Sequence, residues 1–285
     1  MMPLILQSDF GQCDGAVSAM YGVAYTVDPK LPIYDLTHFI PPYDVWEGSC
    51  RLVQTLAYWP AGSVFVSVVD PGVGSSRLSV VAKTNTGHYV VTPDNGTLTH
   101  VAIEYGIDEL REIDESVNRL PGSGESYTFH GRDIYAFTGA RLATGHISFE
   151  EVGPSLDPKQ VVTLPTMEPY IEGNQAFGTI DTHDVRYGSL WTNVPRELFL
   201  KLGVKFGDYV RVHIESDRGD VYSSPLRYCR AFSDASIGEA LLYTNSLDNM
   251  AIAINRGSFA KAYSVGQGVQ WKVTFTYPLN DAPLA

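Results

Sequence analysis

Four aspartates, Asp9, Asp14, Asp35 and Asp70, fall where strand-like runs stop or in the loops that follow. The clearest run is Val64-Phe65-Val66-Ser67-Val68-Val69, apolar and β-branched, as in a strand buried on both faces. It ends at Asp70. Pro71 cannot donate to a ladder, and Gly72 and Gly74 permit positive φ and close approach of backbone to a ligand. Arg77 follows near enough to fold back over this loop. His130 stands between Phe129 and Gly131 at the start of a helical stretch, where backbone N–H groups lack partners. Histidine takes a proton near neutral pH, and Asp70 can orient it or share that task. Arg77 stays protonated, so it can anchor the carboxylate or hold an incipient hydroxide but not act as a base. Asp70, Arg77 and His130 thus form a candidate water-activating set. Asp9, Asp35, His38 and Asp70 could alternatively ligate a metal, although their spacing is not diagnostic. No G-x-G-x-x-G, P-loop or G-x-S-x-G motif occurs, which removes support for dinucleotide, phosphate-cradle and serine-hydrolase sites.

These residues need elements to position them. Residues 3–7, 33–36 and 64–69 are predicted strands, and 16–27 and 44–59 predicted helices. Asp44 with Glu47 three residues on has the form of a capping box. Residues 78–83 and 88–92 form a hairpin around Asn85-Thr86-Gly87. Pro93-Asp94-Asn95-Gly96 is a turn, and residues 98–105 and 133–144 are further helices. This alternation predicts a layered α/β domain with a central, mostly parallel sheet over residues 1–160. Prolines 158, 165 and 169 mark a connector, taken as a linker at 161–170. From residue 171 to 285 the segments are short, β-branched and separated by Gly turns, which predicts a small all-β barrel. Only 195–203 has a helical pattern there. In this second half Asp184, Tyr187 and Ser189 cluster around a Gly turn, and Asn245-Ser246 follows a strand.

The composition excludes several function classes. At 285 residues with 44% hydrophobic and 18% charged residues, the chain is globular. A net charge of −12 argues against nucleic acid as a partner. No apolar run is long enough to span a bilayer, and the N-terminus lacks a basic region ahead of its apolar residues, so neither a membrane partner nor a signal peptide is expected. Cys13, Cys50 and Cys229 fit neither a disulfide framework nor a zinc pattern, which points to a reducing cytoplasm.

Taken in order, Ser8-Asp9-Phe10-Gly11, Asp35-Leu36-Thr37-His38, Val69-Asp70-Pro71-Gly72-Val73-Gly74 with Arg77, Pro93-Asp94-Asn95-Gly96, Phe129-His130-Gly131-Arg132-Asp133, Tyr187-Gly188-Ser189-Leu190-Trp191-Thr192-Asn193 and Asn245-Ser246 resemble one family over nearly the whole chain. It is the S-adenosylmethionine (SAM) hydroxide adenosyltransferases, or DUF62 proteins, relatives of the fluorinases and chlorinases. The resemblance implies an α/β domain, a C-terminal β-barrel and a homotrimer with the ligand at subunit interfaces. It implies that water attacks C5′ of SAM, giving adenosine and L-methionine, with SAM as substrate and neither cofactor nor metal. It places catalysis on Asp70, Arg77 and His130, the ribose diol on Asp9, the methionine ammonium near Asp184 and its carboxylate near Ser246. The purine falls against Tyr43, with Phe129 and Tyr187. Asp14, Asn95, Gly131, Ser189 and Asn245 complete the implied substrate contacts. Ser189 stands where relatives usually carry Asn, and Leu247 where halogenating relatives carry Arg. The alternatives are a SAM-dependent halogenase, a metal-dependent hydrolase on Asp9, Asp35, His38 and Asp70, and a non-catalytic SAM- or adenosine-binding module.

Overall fold

A computed structural model of the protein describes residues 1–279. The last six residues of the expected barrel domain, 280–285, lie outside the described residues. The chain divides into two compact units, Met1–Leu164 and Pro165–Ala285.

The first unit is built on strands β1 (Leu4–Ser8), β2 (Ile33–Thr37), β3 (Val64–Val68), β4 (Ser79–Thr84), β5 (Tyr89–Pro93), β6 (Ile107–Glu112) and β7 (Ser155–Leu156). They lie in the order β2-β1-β3-β5-β4-β6-β7. The pairs β2–β1, β1–β3 and β3–β5 are parallel. The pairs β5–β4, β4–β6 and β6–β7 are antiparallel, so β4 and β7 run against the other strands and the sheet is mixed. All residues of β1 and β3 are buried, as their unbroken apolar runs require. Alternate side chains feed two cores. Leu4, Leu6, Val64 and Val66 pack on one face with Met20 and Ala24 of helix α1 (Ala16–Val27). Ile5 and Phe65 pack on the other with Leu52 and Leu56 of helix α2 (Val45–Leu56) and Val101 of helix α3 (Thr99–Glu104). Asp44 caps α2 by accepting from the Glu47 N–H at 2.9 Å. The second half of the expected capping box is diverted, because Glu47 pairs instead with Arg51 one turn on.

The predicted 133–144 helix begins earlier and changes pitch. Gly131–Ala136 is a π-helical turn that continues into helix α4 (Phe137–Thr144). Such turns insert an extra residue per turn and re-aim the side chains they carry. Strands β6 and β7 escaped the sequence pattern. The former, IDELRE, is mostly charged because it lies toward the sheet edge, and the latter has only two residues.

The second unit comprises β8 (Tyr170–Glu172), β9 (Gln175–His183), β10 (Leu190–Pro195), helix α5 (Arg196–Leu200), β11 (Tyr209–Ser216), β12 (Gly219–Tyr228), β13 (Ala240–Thr244), β14 (Asn249–Ile254), helix α6 (Phe259–Tyr263) and β15 (Gly268–Thr276). The order β10-β14-β13-β12-β11-β15-β9 closes on itself through a β9–β10 pairing, giving a seven-stranded barrel with β8 added at the edge of β9. Both the α/β class and the barrel are borne out. Val210, Val212, Ile214, Leu190, Ile252 and Phe275 fill the interior, and Phe199 of α5 and Phe259 of α6 join the same core. Helix α5 is shorter than 195–203. Helix α6 was not expected, since five residues are too few to display a helical period.

His100 of α3 is buried against α2, its ring edge-on to Trp46 at 4.7 Å and its Nδ1 2.9 Å from Ser49 Oγ. Burial lowers its pKa to about 4. Below the ordinary pKa the unfolded chain takes up a proton that the folded chain refuses. His100 should therefore cost stability progressively as pH falls from about 6.5 to about 4, by on the order of 3 kcal/mol. Denaturant midpoints measured across that range should fall less steeply for His100→Asn than for the wild type.

Candidate active site

At the carboxyl end of β3 the chain turns through Asp70-Pro71-Gly72, with the Val73 N–H donating to the Asp70 carbonyl at 3.2 Å. Arg77 leaves this loop just before β4 and folds back on Asp70. Its Nε donates to Asp70 Oδ1 at 2.9 Å and its Nη2 to Oδ2 at 2.5 Å, a two-pronged ion pair. Both side chains are about nine-tenths buried. Nη2 also donates to His130 Nδ1 at 2.9 Å, and Nη1 to Ser79 Oγ at 3.0 Å. The three residues grouped in the sequence analysis therefore touch. Burial works against the Arg77 charge, but the hydrogen bond to Asp70 keeps its pKa above the ordinary guanidinium value. Burial and the Arg77 charge hold His130 below the ordinary imidazole range, with Arg119 acting in the same direction and Glu115 and Asp70 opposing. His130 Nε2 is buried with no hydrogen-bond partner among the described residues. Such an atom in a native structure calls for an explanation, and a bound molecule supplies one.

His130 opens onto a cleft of about 240 Å³ at the carboxyl ends of β1 and β3, with Asp9, Phe10, Tyr43, Asp70, Phe129 and Gly131 also in its wall. Tyr43 is held at φ 69°, a left-handed conformation that is costly for an aromatic residue. Its N–H donates to Asp9 Oδ2 at 2.9 Å, so Asp9 fixes the strained turn that presents the exposed Tyr43 ring. Asp9 lines the cleft, and its carboxylate has acceptor capacity beyond the bond to Tyr43. Phe129 is held edge-on by Phe10 at 5.7 Å and covered by the Arg132 guanidinium at 4.8 Å. Arg132 is in turn fixed by a two-pronged pair with Asp133. The cleft thus offers a carboxylate, two aromatic faces and the buried Asp70–Arg77–His130 set.

Asp14 and Asn95 lie outside this wall. Asp14 accepts from the Ala16 N–H at 2.9 Å at the start of α1. The Asn95 amide donates to the Val69 carbonyl at 2.8 Å, tying the ends of β5 and β3 together. Asp35 and His38 also have local duties. His38 is buried, with Nε2 2.9 Å from Asp35 Oδ1 and Nδ1 2.6 Å from Ser8 Oγ. Both ring nitrogens are committed and Asp70 is locked to Arg77, which leaves the four residues of the metal alternative unable to converge on one ion. The described residues gather three metal-type ligands at His213, Glu215 and Asp220 on β11 and β12, where Glu215 already pairs with Lys272.

The second unit carries its own polar group. Asp184 accepts from the backbone of Arg186 and Tyr187 in the turn between β9 and β10. Gly188 holds φ +68° there, where a Cβ would strike Ser258. Ser189 is buried, and Tyr187 and Ser246 are exposed. Asn245 Oδ1 shapes the β13–β14 turn by accepting from Leu247 and Asn249, while its buried Nδ2 has no partner among the described residues. Tyr243 and Trp191 flank Ala251 on the outer face of the barrel. Burial raises the Tyr243 phenol, partly offset by a hydrogen bond to Ser189. Ser79 and Tyr135, which complete the shell around Arg77, escaped the sequence reading. The only signals were the two-residue step from Arg77 to Ser79 and the five-residue step from His130 to Tyr135, and the latter has meaning only on a π-helical turn.

Fold and cleft define an α/β unit with a buried Asp–Arg–His set at the carboxyl end of its sheet, followed by a closed β-barrel. The SAM hydroxide adenosyltransferase N-terminal domain matches residues 4–153 and the C-terminal domain of that family residues 178–272. The chain belongs to the SAM hydroxide adenosyltransferase family, as its motifs implied. It is 34% identical to an (R)-S-adenosyl-L-methionine hydrolase of Salinispora arenicola, covering 94% of this chain and 95% of the relative. It is 29% identical to a fluorinase of Actinoplanes sp., covering 95% of this chain and 97% of that protein. The crystal structure of an uncharacterised conserved protein from Thermotoga maritima superposes with a TM-score of 0.87 at 35% identity, covering 96% of this chain and 99% of that one.

The cleft floor depends on Gly131. A Cβ there would lie 2.9 Å from the Phe10 ring and 3.2 Å from Val68. Gly131→Ala should lower stability by about 1–3 kcal/mol through overpacking. Denaturant unfolding checks this.

Proposed function

We infer that this chain hydrolyses SAM, with water attacking C5′ and releasing adenosine and L-methionine. The observation that carries the reading is the unpartnered, buried His130 Nε2 beside the Asp70–Arg77 pair in a cleft that also holds a carboxylate and aromatic faces. It accords with family membership and with the hydrolases among the relatives. The sulfonium is already a good leaving group, so no acid is required on that side and no cofactor enters. The difficulty is water, a weak nucleophile that must be aligned opposite sulfur and relieved of a proton. Alignment supplies a large share of such a barrier, and proton transfer to a placed group typically contributes ~10²–10⁴. Asp9 accepts from the ribose diol, while Tyr43 and Phe129 take the purine. A halide is disfavoured as nucleophile because an anion beside Asp70 is repelled, and Arg77 is spent on that carboxylate.

We place the methionine end of SAM beyond the first unit's cleft wall. We assign its ammonium to Asp184 and its carboxylate to Ser246, with Tyr187, Ser189 and Asn245 toward the adenine, delivered by a neighbouring subunit of a homotrimer. No helix among the described residues is long and apolar enough to cross a membrane. None of the three cysteines forms a disulfide among the described residues, which suits a reducing cytoplasm, where we place the enzyme.

Incubation with SAM in ¹⁸O-labelled water should give adenosine labelled at the 5′-hydroxyl, with or without chelator. A 5′-halo-5′-deoxyadenosine as the main product in saturating chloride would favour the halogenase reading. Asp9→Ala should weaken nucleoside binding by about 1–3 kcal/mol in calorimetry. Asp70→Ala and His130→Ala should each cut turnover roughly 10²–10⁴-fold with binding mostly retained. Light scattering should report a trimer. Mixing Asp9→Ala and Asp184→Ala subunits should give more activity than either variant alone only if each site draws on two chains.

A further inference from the structure

The Asp70–Arg77–His130 contact fixes where a proton cannot be. Every guanidinium nitrogen of arginine donates and none accepts. Because Arg77 Nη2 lies 2.9 Å from His130 Nδ1, Nδ1 is the acceptor and carries no proton. A neutral imidazole with a bare Nδ1 holds its proton on Nε2. Nε2 is the buried, unpartnered atom of this cleft-lining residue. The ring therefore offers a ligand an N–H donor, and its one basic nitrogen is already occupied by Arg77.

What holds Arg77 in that orientation lies behind it. Nη1 donates to Ser79 Oγ at 3.0 Å, and Ser79 Oγ lies 3.1 Å from the Tyr135 hydroxyl. Tyr135 is fully buried and its ring sits 5.7 Å from Arg77 Cζ. It belongs to the same π-helical turn that follows His130. One turn thus grips the guanidinium from two sides, through His130 and through Tyr135–Ser79.

We propose that Ser79 and Tyr135 are positioning residues that set Arg77 against His130 Nδ1, so that His130 donates from Nε2 to the attacking water and Asp70 accepts the water's proton. In this step the water oxygen bonds to C5′ as the C5′–S bond breaks, and its electron pair leaves with sulfur in methionine. The oxonium formed loses one proton to Asp70, which later passes it to solvent. Each Asp70 oxygen accepts one Arg77 N–H and keeps a second lone pair for this purpose. A weakly basic carboxylate suffices, because the bound water becomes strongly acidic as its oxygen bonds to carbon. The assignment rests on the hydrolase reading and divides its roles.

The test uses the full-length protein with ¹⁵N-labelled imidazoles. NMR at neutral pH should show His130 with a bare Nδ1 and a protonated Nε2. Tyr135→Phe and Ser79→Ala should mix the two tautomers and lower kcat about tenfold at nearly constant KM, and Ser79→Thr, which keeps the hydroxyl, should restore both. His130→Gln, which supplies an amide N–H donor and no basic nitrogen, should stay within about tenfold of wild-type kcat. Asp70→Asn should lose 10²-fold or more. A protonated Nδ1 in the wild type, or His130→Gln as inactive as His130→Ala, overturns the assignment. A wild type that forms no adenosine from SAM overturns the hydrolase reading instead, while the NMR spectrum still decides the tautomer.

Discussion

A buried guanidinium is the constraint on which the first unit's chemistry depends. Arg77 is about nine-tenths withdrawn from water, and an uncompensated charge there would be prohibitive. It is compensated by four hydrogen bonds, two to Asp70, one to His130 and one to Ser79. These join the end of β3, the start of β4 and the π-helical turn, three segments that share little contiguous sequence. Satisfying the charge and assembling the site are therefore the same event. Burial and this cation together depress the basicity of His130, and the same cation binds both oxygens of Asp70.

Around this pair the cleft stores strain in the places that face a ligand. Tyr43 adopts a left-handed backbone held by Asp9, and the turn after His130 is π rather than α. Both distortions are supported by well-packed surroundings. The strands beneath are fully buried and Phe129 is fixed by Phe10 and Arg132. A rigid base lets a few residues depart from favoured geometry without loss of the fold. The barrel carries a parallel theme. Its interior is a filled apolar core, while Ser189, Trp191 and Asn245 carry buried polar groups outside that core.

The sequence by itself determined a good deal. Short, β-branched apolar runs bounded by turn residues suit strands covered on both sides, so β1 and β3 and the layered α/β class were legible. Short β-branched segments between Gly turns determined the barrel. Carboxylates at strand ends, with an arginine seven residues after Asp70 and a Gly-flanked histidine, marked the candidate site because such positions face ligands in open sheets. Ordered motifs across the whole chain marked the family.

Only tertiary structure decided the rest. Asp14 and Asn95 have motif context but no place in the cleft wall, because a helix start and a strand-end tie claim their side chains. Asp35 and His38 have ligand chemistry but spend it on each other and on Ser8. Ser79 and Tyr135 look unremarkable in the sequence and become neighbours of Arg77 only when β4 and a π-helical turn meet. The protonation of His130 follows from which nitrogen Arg77 reaches, and that is a matter of a few ångströms and one ring orientation. Residue type tells what a side chain can do. The packing of distant segments decides which partner it has, and a hydrogen-bonding group already satisfied by one partner is withdrawn from every other role.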